Sequence, residues 1–563
     1  MPYNFKKLLY NILSPALLGC LIALFILGLN TMIGSITPSS THVDLDIRNL
    51  PFYCLKTAIR FICAMIFSVI FAILYATIAA KNKRMGKLLI PILDIFQSIP
   101  VIGYISFTVI FFTGLFPNNL LGIELAAIFA IMTAQIWNII LSVYQSLTTI
   151  PKKLYDVGKI YKLNNWKIFW IIELPFAIPG IVWNIILSMS ASWFFIVTQE
   201  VISVGSHNYT LQGMGSYIAL ALTNFDIKSI AYAAGAIAIL IVLFNELLYR
   251  PLIGLSEKFR YEFDSGSNRN TTSWFLHNIR QSSLLNYLFY YIASFCKFFL
   301  NIKPPKIISK YTSHLSFIAE IICWLGIGFA FFKTITLTFD ICYGNISISD
   351  IKAVLFYGTL TALRILTLLI LCSLIWVPIG VYIGLRPNIA ARIQPVIQLL
   401  TAIPANLYYP FFVSSIIYYK LNPNIWLSFM LLIGSQWYIL YNVIAGAQNI
   451  PSELLEVSHL FKIKFFDKIF KIILPSIAPY YVAGLMTAAG AAWNASIVAE
   501  VMQWGERSLS AIGIGSYITN STKEGSYPHI ALGIIAMCFF VIIINRLIWK
   551  PLLNYISTRF KLV

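Results

Sequence analysis

Long, nearly charge-free apolar runs constrain this sequence more than any other feature. Twelve of them lie near residues 8–33, 52–80, 88–115, 121–147, 177–197, 229–248, 314–339, 353–385, 393–418, 424–447, 477–498 and 529–549. A hydrocarbon layer takes about 20 apolar residues as a helix. Only helices and closed barrels satisfy their backbone there, and these runs are too long for barrel strands. The chain therefore reads as an all-α polytopic membrane protein of about 12 transmembrane helices. Only 11% of its residues are charged, against roughly 25% in soluble domains. The net charge of +19 suggests nucleic acid, but the basic residues form no block. They punctuate the apolar runs, as at Lys81, Lys83, Arg84 and Lys87, which is the positive-inside pattern. That pattern places both termini in the cytoplasm and argues against nucleic-acid binding.

The second half of the chain repeats the first. Residues 151–179 and 451–479 align without a gap at an offset of 300, including Pro151/Pro451, Leu154/Leu454, Lys162/Lys462, Leu174/Leu474 and Pro179/Pro479. The offset holds for Trp193/Trp493, Glu200/Glu500, Asn245/Asn545 and the Gly213-x-Gly215 and Gly513-x-Gly515 pairs, and becomes 304 for Thr57/Thr361, Arg60/Arg364 and Pro91/Pro395. Six spans per half make the repeats parallel, about an axis along the membrane normal, whereas many secondary transporters use inverted repeats. The expected division is a first repeat at 1–260, a linker at 261–312 and a second repeat at 313–563. Within the linker, residues 284–300 are too short to span comfortably and carry Lys297, so they are expected to lie in the membrane interface.

Each aligned stretch is a polar island of about 25 residues between spans. Leu154, Val157 and Tyr161, and their copies Leu454, Val457 and Phe461, recur at i, i+3 and i+7 on one face of a short helix. Ordinary helix connections are usually 2–8 residues. Two long islands with the same stripe and the same Leu-Pro exit read instead as paired docking surfaces for a partner outside the membrane.

The islands resemble the EAA loop of ABC-importer permeases, E-A-A-x3-G-x9-I-x-L-P. The acidic position falls on Asp156 and Glu456, the small positions on Val157-Gly158 and Val457-Ser458, and the I-x-L-P ending on residues 172–175 and 472–475, with Pro175 and Pro475 last. Lysine replaces the motif's glycine at Lys162 and Lys462, which works against the usual tight turn. T-x-x-R early in a span, Q-x-I-P at Gln97–Pro100, W-x6-E and the following G-x-G resemble the nitrate/sulfonate/taurine-type branch of binding-protein-dependent permeases. The resemblance covers roughly 50–260 and 350–560. It implies two permease domains fused in one bacterial inner-membrane chain. It also implies two copies of a cytoplasmic ATPase, an extracytoplasmic solute-binding protein, lipid contact and a small anionic solute.

Arginine at the bilayer centre costs about 2.5–3.5 kcal/mol on insertion scales, so Arg60 and Arg364 need partners or a role in attracting an anion. A structural strut is the favoured reading. Glu200 and Glu500 are candidates to pair with them or to form an outer gate. Asn184, Trp193, Trp493 and Asn494 are candidate pathway residues. The sequence holds no Walker A pattern, no CxxC among its eight cysteines and no metal-ligand cluster. A non-catalytic permease without cofactors is expected. The rivals are a secondary transporter or channel with parallel repeats, which needs no matching islands, and a membrane-embedded enzyme, which would need clustered acid/base or metal residues.

Overall fold

A computed structural model describes residues 3–34, 42–98, 101, 105–204, 207–224, 226–259, 274–283, 344–402, 405, 408–448, 450, 452–504 and 507–559, with scattered positions between 285 and 340. The expected span at 314–339 and the expected interfacial stretch at 284–300 fall largely outside the described residues. Among those described, eight helices are long and apolar enough to cross a membrane. The first apolar run forms the helix Tyr3–Asn30. The run at 88–115, expected as one kinked helix, is two helices, Lys83–Ser98 and Ile105–Leu115. Its copy divides likewise into Pro387–Ala402 and Tyr409–Tyr418.

Three helices carry each half. In the first, Leu50–Lys81 packs on Leu120–Thr148, which packs on Leu174–Gln199. In the second, Ile348–Gly384, Ser428–Gln448 and Leu474–Ala499 do the same. With lipid as solvent, such contacts rely on close packing by small residues. A Cβ at Gly384 would lie 2.5 Å from the Ala447 Cβ and 2.8 Å from the Ile444 carbonyl oxygen. Each half has its own apolar core, one around Phe61, Ile139 and Trp193, the other around Ile439, Ala488 and Trp493.

Among the described residues, four π-helical turns interrupt the helices, at Phe169–Glu173, Asn245–Tyr249, Ile469–Ile473 and Asn545–Trp549. Each ends two residues before a proline: Pro175, Pro251, Pro475 and Pro551. A proline ring inside an α-helix clashes with the carbonyl four residues back. Widening the preceding turn moves that carbonyl aside and keeps the helix continuous.

Beyond Gln199 and Ala499 the chain makes two antiparallel hairpins that the helical reading did not anticipate. Val201–Val204 pairs with His207–Thr210, and Val501–Trp504 with Arg507–Ser510. A short helix follows each, Met214–Thr223 and Ile514–Glu524. The strand Val201–Val204 contacts the short helix of the second half, and Val501–Trp504 contacts that of the first. The halves also meet where Tyr527–Ile544 touches Lys83–Ser98 and where Ile227–Phe244 touches Pro387–Ala402. These contacts are reciprocal, as a two-fold relation between parallel repeats requires.

Asp226 caps the helix Ile227–Phe244. Its carboxylate accepts the Ser229 hydroxyl at 2.6 Å and the Ser229 and Lys228 amides at 3.2 and 3.0 Å. These bonds, the Ser229 hydroxyl first, hold its carboxyl below the usual carboxylate range. A depressed folded-state pKa means that the cap is complete above the unfolded value and is lost as pH falls through the folded one. Acidifying below about pH 4 should therefore speed hydrogen exchange at the 228 and 229 amides, after correction for intrinsic rates. The matching helix start at Ser526 has no carboxylate cap and should not respond. A second expectation follows from the close helix packing: Gly384→Ala should destabilise the protein by about 1–3 kcal/mol through overpacking, read as a lower melting temperature in detergent.

Candidate functional site

Two kinds of polar structure stand out against the apolar helices: a buried ionic cluster near one end of each half, and the short helices of the polar islands at the other.

In the first half Arg60 is fully buried. Its Nε and Nη2 donate to both oxygens of Glu124, at 2.6 and 2.8 Å, and its Nη1 donates to Glu200 Oε1 at 2.6 Å. Nη2 also reaches the Gln212 carbonyl oxygen at 3.0 Å. Glu200 accepts the Thr57 hydroxyl at 2.7 Å and the Gly215 amide at 2.5 Å. One carboxylate thus joins the Leu50–Lys81 helix to the short helix Met214–Thr223. The G-x-G pair has a steric reason here, since a Cβ at Gly213 would sit 2.3 Å from the Glu200 carboxylate.

The second half repeats this geometry. Arg364 Nη1 donates to Glu500 Oε1 at 2.5 Å and Nη2 to the Ile512 carbonyl oxygen at 3.2 Å. Glu500 accepts the Thr361 hydroxyl at 2.8 Å and the Ser516 amide at 3.1 Å. Both candidate arginines are therefore paired with the candidate glutamates.

The clusters differ in a charge-compensated way. Glu124 corresponds to Asn424, whose Oδ1 accepts the Ile512 amide at 2.8 Å. Lys56, buried and donating to Gln212 Oε1 at 2.9 Å, corresponds to Leu360. The first half carries one extra buried cation and one extra buried anion, and the second carries neither. The sequence reading missed Glu124 and Lys56 because neither belongs to a repeated motif. The available signal was a lone acid inside the run at 121–147 and a second cation one turn before Arg60.

Trp193 is buried in the core, stacked on Phe61 at 5.3 Å and edge-on to Phe244 at 5.7 Å. Trp493 is buried in the core of its own half. Asn184 donates to the Gly180 carbonyl of its own helix at 3.0 Å. Asn494 crosses between the halves: its Oδ1 accepts the amide of Val101, in the break between two first-half helices, at 2.7 Å.

At the opposite end, the islands form the short helices Lys152–Ile160 and Ser452–Leu460. Lysine does make the tight turn expected of glycine. Lys162 and Lys462 adopt left-handed backbone conformations, with φ of 49° and 46°. The Leu163 amide reaches the Gly158 carbonyl at 2.9 Å, and the Ile463 amide reaches Ser458 at 3.1 Å, the six-residue closure of a Schellman turn. Glu173 anchors the first helix, bonding Lys81 at 2.8 Å and accepting the Tyr155 hydroxyl at 3.3 Å. Burial, reinforced by Glu173, pushes the Tyr155 phenol up to about 12, so it remains a neutral donor. In the second half Leu385, Leu455 and Ile473 replace that triad with apolar packing. Gly158 and Ser458 are buried, while Asp156, Val157, Glu456 and Val457 are exposed.

The model of the family described as binding-protein-dependent transport system inner membrane component matches residues 64–252 and 376–550. The chain belongs to this family and contains its domain twice. It is 27% identical over 179 residues to the nitrate import permease protein NrtB of Leptolyngbya laminosa, covering 32% of this chain and 61% of that protein. It is 29% identical over 184 residues to the bicarbonate transport system permease protein CmpB of Synechocystis sp., covering 32% and 61%. The matched region thus spans about three fifths of those relatives.

Glu124→Asn alone should cost about 3–5 kcal/mol, because it removes a carboxylate from a buried ionic cluster. Lys56→Leu combined with Glu124→Asn, which copies the second half, should recover about 1–3 kcal/mol of that loss as coupling energy. Thermal unfolding of the two single variants and the double variant in detergent measures the cycle.

Proposed function

We propose that this chain is the permease subunit of an ATP-binding-cassette importer, its two fused permease repeats enclosing one pathway where the halves meet. In this reading the helices Lys152–Ile160 and Ser452–Leu460 dock two cytoplasmic ATPase subunits, and an extracytoplasmic binding protein delivers solute to the hairpin end. The observation that carries the proposal is the matched pair of short helices, each with an exposed apolar tip. Ile160 and Tyr161 are 76% and 73% exposed, and Leu460 and Phe461 are 79% and 77% exposed. A partner that covers these tips buries apolar surface at about 25 cal/mol per Å². Each tip is tied through a Schellman turn and a π turn to a helix that runs the depth of its half. Closing two ATPases would therefore move both helices together.

Orientation follows from charge. Lys81 and its basic neighbours share an end with the island helices through the Lys81–Glu173 bridge. The positive-inside rule makes that end cytoplasmic, with both termini inside.

A small anion is the solute class we favour. Its support is the nitrate and bicarbonate named for the relatives, not Arg60 and Arg364. Those arginines are neutralised by Glu200 and Glu500, so the strut role suits them better.

The test removes the exposed apolar tips. Tyr161→Asp with Phe461→Asp should lower co-purification of ATPase subunits and ATP-dependent uptake of labelled nitrate or bicarbonate at least about tenfold, equivalent to roughly 1.4 kcal/mol. Unchanged association together with unchanged uptake would remove the docking assignment.

A further inference from the structure

The two island helices match in shape and oppose each other in charge. Lys152–Ile160 carries Lys152, Lys153 and Lys159 against Asp156, a net +2. Ser452–Leu460 carries Glu453 and Glu456 and no lysine or arginine, a net −2. Their apolar tips are alike, with Val157 and Val457 exposed to 46% and 44% behind the nearly bare residues at 160–161 and 460–461.

The first helix holds its lysines against its own preference. Lys152 and Lys153 occupy its opening turn, where the helix dipole disfavours cations, whereas Glu453 occupies the favourable site in the second helix. Lys159 is bridged to Asp156 at 3.1 Å, which leaves the Lys152–Lys153 pair as the uncompensated charge. Anionic lipid would accommodate the first helix. It would repel the second, which occupies the equivalent position in the other repeat at the same end of the molecule.

We propose that the two helices dock in unlike grooves, one with an acidic rim for Lys152–Ile160 and one with a basic rim for Ser452–Leu460, so that the partner is a pair of different ATPase subunits and not two copies of one. This rests on the ATPase-docking reading above. Two identical grooves cannot complement both helices: a rim that attracts one repels the other, and like-charge contact across an interface selects against the wrong partner. Fusion of the permease repeats into one chain permits this divergence, because each helix then has its own sequence to vary.

The experiment places a photo-crosslinking benzoylphenylalanine at Tyr161 or at Phe461 of the full-length chain in native membranes and sequences the adducts by mass spectrometry. Each site should capture a polypeptide containing a Walker A peptide, and the two polypeptides should differ in sequence. Lys152→Glu with Lys153→Glu should cut the adduct at 161 at least about fivefold and leave that at 461 within about twofold. Glu453→Lys with Glu456→Lys should do the converse. The unaffected site reports that each variant is folded. The same ATPase polypeptide at both sites overturns the proposal, as does charge reversal without effect at its own site, the result expected if the lysines serve lipid headgroups. Adducts without a nucleotide-binding polypeptide at either site overturn the docking reading, and this proposal with it.

Discussion

The fold depends on an arginine that lies inside a membrane helix without solvent. Arg60, fully buried, and Arg364, 12% exposed, are tolerable in their helices because a glutamate at the end of another helix meets each of them, at 2.6 and 2.5 Å. The same Oε1 of Glu200 and Glu500 also accepts a threonine hydroxyl from the arginine's own helix, and Oε2 accepts a backbone amide from the short helix after the hairpin. Removing the arginine would leave Glu200 or Glu500 buried without its cation, the costly outcome for such pairs. The pair therefore fixes that end of the first core helix relative to the hairpin and short helix. Those elements in turn make the reciprocal contacts between halves.

The repeats show which parts of this arrangement are interchangeable. The pair itself occurs twice. Around it, Lys56 with Glu124 in one half gives way to Leu360 with Asn424 in the other, so each cluster stays balanced. The Lys81–Glu173–Tyr155 anchor gives way as a set to Leu385, Ile473 and Leu455. Both cases follow one rule: a polar network with a buried member, Glu124 in one and Glu173 in the other, is kept whole or replaced whole, because a half-satisfied one is worse than apolar packing. The island helices escape this rule because they are exposed, and their charges have diverged freely to opposite signs.

The islands also show how a motif position survives the loss of its usual residue. A left-handed residue is needed to reverse the chain after the short helix. Glycine takes that conformation without steric cost, and lysine takes it at some local cost in both halves. The lysine side chains lie in the polar islands, where their charge stays hydrated. The turn is preserved in both halves.

The spans, the two-fold repeat and the paired islands were legible in the sequence, because hydropathy, periodicity and offset are properties of the chain order alone. So was Glu200 as a candidate partner for Arg60, since a buried charge requires an opposite one. Four-residue hairpins at 201–210 and 501–510 carry too little pattern to stand out from helix ends. Glu124 and Lys56 gave no signal of pairing with their cluster, because they lie 64 and 156 residues from the partners that satisfy them. Trp193 and Trp493 suit a pathway or a core equally well until packing decides. Sequence set which segments enter the membrane and that they do so twice. Tertiary structure alone decided which buried charges meet, because neutralising them depends on distances of under 3 Å between segments that chain order leaves far apart.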